Sequence, residues 1–242
     1  MAELLSAKGV LYDRIAVVRN WVDLDQVKPI VGISSYRREL GIRETDFVVL
    51  YSGSIGAKQG FEHLLAAIAK LEGREDIIFI IAGEGPAKTE LMARNGSATN
   101  LKILPFAPPE RFSDFLGVAD MHVLPQRPGA ADLVLPSKLG AALASGRRIV
   151  VTAAVGSELA TFLDGAAIIV PPGNADALAE AIRQGADDPS FGGDDPERRS
   201  QLARQLSKLD ALSNIRFGLV EPAGWRASHS LPRLRPTVGA AN

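Results

Sequence analysis

The sequence predicts a doubly wound α/β fold around a parallel sheet, and three observations carry that prediction. Of six short runs at 47–51, 77–81, 101–104, 121–124, 149–151 and 168–170, four are apolar at every position and the other two are broken only by Lys102 and His122, rather than alternating. Such strands bury both faces, as in a sheet covered by helices on either side. Stretches with helical spacing separate the runs, which makes each connection a crossover, and right-handed crossovers wind the sheet both ways. Finally, loops rich in glycine and proline follow the strands at 53–60, 83–86, 105–109, 125–136 and 152–157. They gather on the rim at the carboxyl ends of the strands, where sheets of this kind bind ligands.

The first forty residues give no complete unit. Residues 4–9 read as the end of a short helix closed by Gly9, 15–18 as a short strand, 20–23 as a turn, and 36–40 as a helical piece stopped by Gly41. The regular rhythm starts at Phe47. After the first glycine loop, Phe61, Leu64, Leu65, Ile68 and Leu71 form the apolar stripe of a helix. Shorter helices are expected after Pro86 and over 109–118, 158–163 and 175–184, and one long helix over 197–212. The acidic run from Asp187 to Asp195 reads as a solvated turn. From 214 to 242 there is no sustained period, and three prolines mix with arginines, a composition that suggests poor order.

Residues 133–146 run Leu-Val-Leu-Pro-Ser-Lys-Leu-Gly-Ala-Ala-Leu-Ala-Ser-Gly. Pro136-Ser137 has the character of a helix start and Gly146 that of a helix stop. The first amides of a helix lack intrahelical partners and so attract anions. Lys138 in that turn opposes the helix dipole, a conflict that a bound phosphate or diphosphate removes. The alternative is a solvated surface lysine.

Bulk properties exclude several classes. A length of 242 residues allows one large domain or two small ones, and a net charge of −1 gives no global attraction to nucleic acid. With no cysteine there are no disulfides, thiolate nucleophiles or cysteine zinc sites. No apolar run approaches the roughly 20 residues of a membrane span, and the first residues lack the layout of a signal peptide. The expectation is a cytoplasmic protein. His63, beside Leu64 and Leu65, and His122, in a strand, have no metal-ligand spacing and read as structural; no acidic cluster suits a cation.

Taken together, the motifs resemble a known family. Tyr51-Ser52-Gly53-Ser54-Ile55-Gly56-Ala57-Lys58-Gln59-Gly60, Ala82-Gly83-Glu84-Gly85, the segment from Ala131 to Leu139, and Leu143-Ala144-Ser145-Gly146 look like a group 1 glycosyltransferase. The likeness is to the retaining GT-B class of colanic-acid and exopolysaccharide synthesis, and it runs from about Val10 to Leu212. Asn20-Trp21-Val22-Asp23 and Pro171-Pro172-Gly173-Asn174-Ala175 match flanking segments of that family. The resemblance implies two Rossmann-like domains with a cleft between them. One set of six strands matches only the C-terminal, donor-binding half. The implied divisions are 1–42 as a lead-in from a missing N-terminal domain, 43–186 as the Rossmann-like donor domain, 187–213 as a C-terminal helix region and 214–242 as an irregular tail. A truncated or frameshifted reading frame would account for both ends.

What the resemblance implies about function is glycosyl transfer from a nucleoside-diphosphate sugar to a glycan or lipid-linked acceptor in surface polysaccharide synthesis. It implies no metal and no cofactor, no nucleic-acid partner, and a cytoplasmic location with peripheral attachment at the inner membrane. The donor-binding candidates are Gly53, Ser54, Gly56, Lys58, Glu84, Phe106, Asp132, Ser137, Lys138 and Leu139; no catalytic residue is assigned. Backbone amides and cations suit a diphosphate leaving group. The wider superfamily has arginine and lysine where Ser54 and Gln59 stand here, so Lys58 is either a substitute or an exposed lysine. It has a ribose-binding glutamate where Ala141 stands, so Asp132 is either a stand-in or a turn cap. Phe106 packs on a base or only in its own loop; Glu84 lines the site or faces solvent. Arg148 stands where the family commonly has proline, and a solvated arginine is expected there. Competing readings are a catalytically inactive fragment or nucleotide-sugar binding module, and, less well matched, a sugar-nucleotide epimerase of the same layout.

Overall fold

The computed structural model describes residues 2–56, 59–94, 99–129, 135–192 and 195–220. All six expected strands form: β1 (Phe47–Ser52), β2 (Ile77–Ala82), β3 (Leu101–Leu104), β4 (Met121–Leu124), β5 (Arg148–Thr152) and β6 (Ile168–Val170). They make one parallel sheet in the order β3-β2-β1-β4-β5-β6. In chain order the helices are α1 (Ala2–Ala7), α2 (Ser35–Glu39), α3 (Phe61–Lys70), α4 (Lys88–Arg94), α5 (Phe112–Leu116), α6 (Leu139–Ala144), α7 (Glu158–Phe162), α8 (Ala175–Asp187), α9 (Pro196–Gln205) and α10 (Lys208–Val220). This is the Rossmann-like, doubly wound arrangement that the sequence predicts.

Alternation along each strand divides the core in two. Val48 and Leu50 join α5, α6 and α9 in one layer through Phe115, Leu139, Leu143 and Leu202. Val49 and Tyr51 point the other way, into a layer with Leu64 and Ile68 of α3 and Leu178 and Ile182 of α8. Burial on both faces is why these strands lack polar alternation.

The strand order reverses between β1 and β4. β1 keeps register with β2 over its full length, from Phe47 opposite Ile77 to Ser52 opposite Ala82. Against β4 it registers only at Val49 and Leu50. Beyond Leu50 the two strands part, and the loops leaving them diverge to opposite faces. A crevice at such a switch point is where a doubly wound sheet receives ligand. The amino ends of the same strands are clamped by an ion pair of the buried Arg37 with the half-buried Asp120. Arg37 of α2 donates to Asp120 at 2.6 Å and to the Asp46 carbonyl at 2.8 Å, while Asp120 accepts from the Val48 amide at 2.8 Å.

Several local expectations are corrected. Residues 15–18 form no strand: they pair with nothing among the described residues, and Val17 is 60% exposed. A β-branched run makes a strand only where a neighbour supplies the ladder. The expected helix over 197–212 is two helices. Val22 inserts between them, its amide donating to the Leu206 carbonyl and its carbonyl accepting from the Lys208 amide. Gly140 of α6 has no side chain to obstruct this crossing, and a Cβ there would lie 3.1 Å from that of Val22. α10 continues past 213 to Val220, and the rest of the tail, 221–242, lies outside the described residues. Nor is the acidic run a mere solvated turn. Asp187 pairs with Arg74 and Arg183, and Asp195 caps α9 by accepting from the Glu197 and Arg198 amides. Arg148 is not solvated either: it lies over the Phe47 ring and donates to the Gly185 carbonyl at 2.8 Å.

Candidate functional site

The switch point brings the loop after β1 against the turn that opens α6. Lys138 is the N-cap residue of α6, and its side chain runs back beneath the glycine loop. A Cβ at Gly53 would lie 2.4 Å from Lys138 Cε, so the bare backbone at 53 is what leaves room for the lysine stem. The Lys138 ammonium sits 5.0 Å from the centroid of the Tyr51 ring. It forms no ion pair among the described residues, and burial pushes its pKa below the ordinary lysine value. Among the described residues no carboxylate neutralises this half-buried positive charge.

The glycine loop is held from two sides. It extends the β1–β2 ladder past the strand ends: the Gly53 amide donates to the Ala82 carbonyl at 3.0 Å and the Ile55 amide to the Glu84 carbonyl at 2.8 Å. This close approach needs glycine at 83 and 85, where a Cβ would meet the carbonyl oxygens of Gly53 and Ile55 at 1.9 and 2.1 Å. From below, the buried Tyr51 hydroxyl donates to the Ser54 carbonyl at 2.6 Å.

Bonding of the backbone narrows the set of amides free for an anion. Gly53 N–H is spent in the ladder, and Gly56 N–H donates to Gln59 Oε1 at 3.1 Å. Leu139 N–H donates to the Pro136 carbonyl, and the Leu139 side chain is fully buried in the core. Leu139 is therefore a packing residue and not a contact. Ser54, Ser137 and Lys138 amides have no partner among the described residues. Ser54 and Ser137 are exposed.

A cleft of about 150 Å³ lies here, lined by Gln59, Leu124, Pro125, Gln126, Pro136, Ser137 and Lys138. Its β4 side is rigid, because Thr152 Oγ1 accepts from the Gln126 amide at 2.6 Å and donates to the Gln126 carbonyl at 3.0 Å. Gln126 Oε1 is buried without a hydrogen-bond partner among the described residues.

The other candidates separate. The Glu84 carboxylate pairs with Lys88 at 2.6 Å, so its backbone carbonyl, not its charge, meets the glycine loop. Phe106 is 48% exposed on the loop after β3, two strands away from β1 on the same rim. Ala141 packs against the core and offers no polar atom. Lys58 and Asp132 lie outside the described residues. His122 is buried, its Nε2 2.9 Å from Ser145 Oγ, in keeping with a structural role. Among the described residues no group of three or more His, Cys, Asp or Glu could hold a metal ion, and no helix is long and apolar enough to cross a membrane. Sequence reasoning did not single out Tyr51, Gln59 and Gln126 as site residues. The one local signal was the Tyr51 hydroxyl near the carboxyl end of a strand that is otherwise apolar up to Ser52.

Comparisons with known proteins bear on the family and the fold. The family described as glycosyl transferases group 1 matches residues 33–206. The putative colanic acid biosynthesis glycosyl transferase WcaI of Escherichia coli K12 is 34% identical over 184 residues, covering 73% of this chain and 45% of that protein. Alpha-D-kanosaminyltransferase of Streptomyces kanamyceticus is 30% identical over 169 residues, 68% of this chain and 41% of its own. Among solved structures, Anabaena Alr3699/HepE in complex with UDP and glucose superposes with a TM-score of 0.74 at 18% identity, over 90% of this chain and 60% of that one. WaaG, a glycosyltransferase involved in lipopolysaccharide biosynthesis, gives 0.63 at 19% identity, over 80% of this chain and 54% of that one. These two establish likeness of fold. The chain spans about half the length of the curated relatives it matches.

Proposed function

Because the chain belongs to the group 1 glycosyltransferases, we propose that its switch-point crevice binds the diphosphate of a nucleoside-diphosphate sugar. In this reading it is the donor-holding half of a retaining transferase for surface polysaccharide. The observation that carries the reading is Lys138: a half-buried ammonium without a carboxylate partner among the described residues, set beside a glycine loop and the amides of Ser137 and Ser54. A diphosphate supplies the missing negative charge and accepts from those amides. As the glycosidic bond of the donor breaks, charge grows on the departing phosphate, and a cation already fixed beside it lowers the barrier. The donor is a substrate, and neither metal nor cofactor is assigned a role. UDP bound to Alr3699/HepE and the polysaccharide roles of WcaI and WaaG support the assignment of class. The acceptor is a glycan or a lipid-linked glycan, met by parts of a whole enzyme beyond this half, with cytoplasmic location and peripheral membrane attachment.

Calorimetric titration of the 242-residue chain with UDP and GDP tests the site. Millimolar or tighter binding of one of them is expected, weakened about tenfold by Lys138→Ala, the loss of one charge-assisted contact. No binding of either at millimolar concentration overturns the assignment. Lys58→Ala measures the contribution of the second candidate cation. A second reading, a binding module without transfer, is favoured by Ala141, which cannot hold ribose hydroxyls as the family glutamate does. Release of UDP from UDP-sugars by the chain alone would argue against that second reading.

A further inference from the structure

Tyr51 is the penultimate residue of β1, just past Leu50, the last residue that pairs with β4. It is fully buried, yet it touches both halves of the crevice. Its hydroxyl donates to the Ser54 carbonyl at 2.6 Å, and its ring lies 5.0 Å from the Lys138 ammonium. The ring is fixed in turn by an edge contact with Phe61, at 4.9 Å between centroids, at the start of α3. We propose that Tyr51 is a positioning residue for donor binding: its hydroxyl sets the glycine loop and its ring face sets the Lys138 ammonium, so that amide and cation converge on one diphosphate. The proposal rests on the donor-site reading of Lys138 and adds to it a residue that touches no ligand.

The choice of an aromatic support has a physical reason. A carboxylate beneath Lys138 would hold the ammonium firmly but would neutralise it and compete with phosphate. A purely aliphatic wall would leave a long flexible side chain free to leave for solvent, because burial without compensation disfavours the charged form. A ring face attracts the cation through its quadrupole while leaving the net charge intact. The hydroxyl adds a constraint that the ring cannot, since Ser54 is the exposed tip of the loop and its carbonyl would otherwise bond only to water. Ser54 and Lys138 are far apart in sequence and on different elements; one side chain spans them.

The test is a set of substitutions read with two ligands, UDP and uridine, the second lacking phosphate. Tyr51→Phe keeps the ring and removes the hydroxyl; Tyr51→Leu removes both. Expected losses of UDP affinity are about threefold for Tyr51→Phe and about tenfold or more for Tyr51→Leu, the range of a partly desolvated cation–π contact. Uridine binding, followed by ligand NMR, is expected to stay unchanged in both variants. In a Lys138→Ala background the Tyr51→Leu loss is expected to shrink to that of Tyr51→Phe. An undiminished loss in that background, or equal losses for UDP and uridine, overturns this proposal and leaves the donor site standing. Lys138→Ala that binds UDP as tightly as the unaltered chain overturns the donor-site reading and this proposal together. Where Tyr51→Leu does not fold, proton NMR of the unaltered chain and of Tyr51→Phe decides. The ε-methylene protons of Lys138 are expected upfield of the other lysines through the ring current, and ordinary shifts in both overturn the placement.

Discussion

Gly53 and Lys138 share a space that admits only one of a Cβ and a lysine stem: a methyl on Gly53 would lie 2.4 Å from Lys138 Cε. The obstructing atom belongs to the far end of a flexible side chain. Gly53→Ala is therefore expected to expel the lysine rather than to break the fold. Because Gly53 has a φ of +156° that an L side chain rarely adopts, the predicted result is a stability loss of about 1–2 kcal/mol from backbone strain together with a roughly tenfold loss of UDP affinity. Urea denaturation and calorimetry on the same variant measure the two numbers, and a large stability loss with unchanged binding would sink the argument.

Gly83 is the opposite case. A Cβ there would meet the Gly53 carbonyl oxygen at 1.9 Å, and that oxygen belongs to backbone held in the extended ladder. Nothing can move without separating the two loops. Gly83→Ala is expected to destabilise the chain by about 3 kcal/mol, at the upper end for overpacking. The urea midpoint should fall well below that of Gly53→Ala, and equal midpoints would contradict the distinction between a side-chain and a backbone obstruction.

The fold was legible because burial on both faces leaves a local signature. Six runs, four wholly apolar and two broken only by Lys102 and His122, point to strands, and all six are strands. What the sequence concealed depends on partners distant along the chain. Residues 15–18 look like a strand by composition, but a strand needs a neighbour that periodicity does not reveal. The helix break at Leu206–Ser207 comes from Val22, which no local pattern near 206 announces. The same holds for the site. Motif and turn chemistry single out Gly53, Ser137 and Lys138, which the structure brings together at the switch point. That Leu139 is core, that Gln59 caps Gly56, and that Tyr51 joins two loops follow only once β1 and β4 stand side by side.

His122 gives the fold a pH dependence with a definite sign. Its ring is buried in the sheet; burial first, and then the Arg147 charge, push its pKa down to about 3 from an ordinary 6.5. Ser145 Oγ donates to the Ala142 carbonyl at 2.7 Å, so it accepts from His122, which fixes the neutral tautomer protonated at Nε2. The folded state resists a proton that the unfolded chain accepts below about pH 6.5. Stability from this residue is fully present above that pH and is lost as pH falls from 6.5 toward 3. Urea midpoints measured between pH 7 and about 4.5, above the main carboxylate range, should fall steadily in the unaltered chain. The slope should be nearly absent in His122→Gln, whose amide reaches the Nε2 position and keeps a donor for Ser145 but has no titrating ring. Equal slopes in the two proteins would assign the acid sensitivity elsewhere.

Gln59 offers the one substitution expected to improve the site. Gln59 lines the cleft, and its Oε1 accepts from the Gly56 amide at 3.1 Å, so it occupies a donor of the glycine loop. A lysine cannot accept that bond. Gln59→Lys therefore frees the Gly56 amide and places a second ammonium near Lys138, at the position where the wider superfamily carries lysine. Repulsion between the two cations is modest in a solvent-open cleft, and a bound diphosphate reverses its effect. UDP affinity is predicted to rise about threefold to tenfold, the scale of one added charge-assisted contact, with uridine affinity unchanged. The gain should shrink as salt is raised from 0.05 to about 0.3 M, because the added charge is partly exposed and screened. Calorimetry at the two ionic strengths decides: a gain for uridine as well as UDP, or no gain at low salt, would remove Gln59 from the phosphate-facing wall.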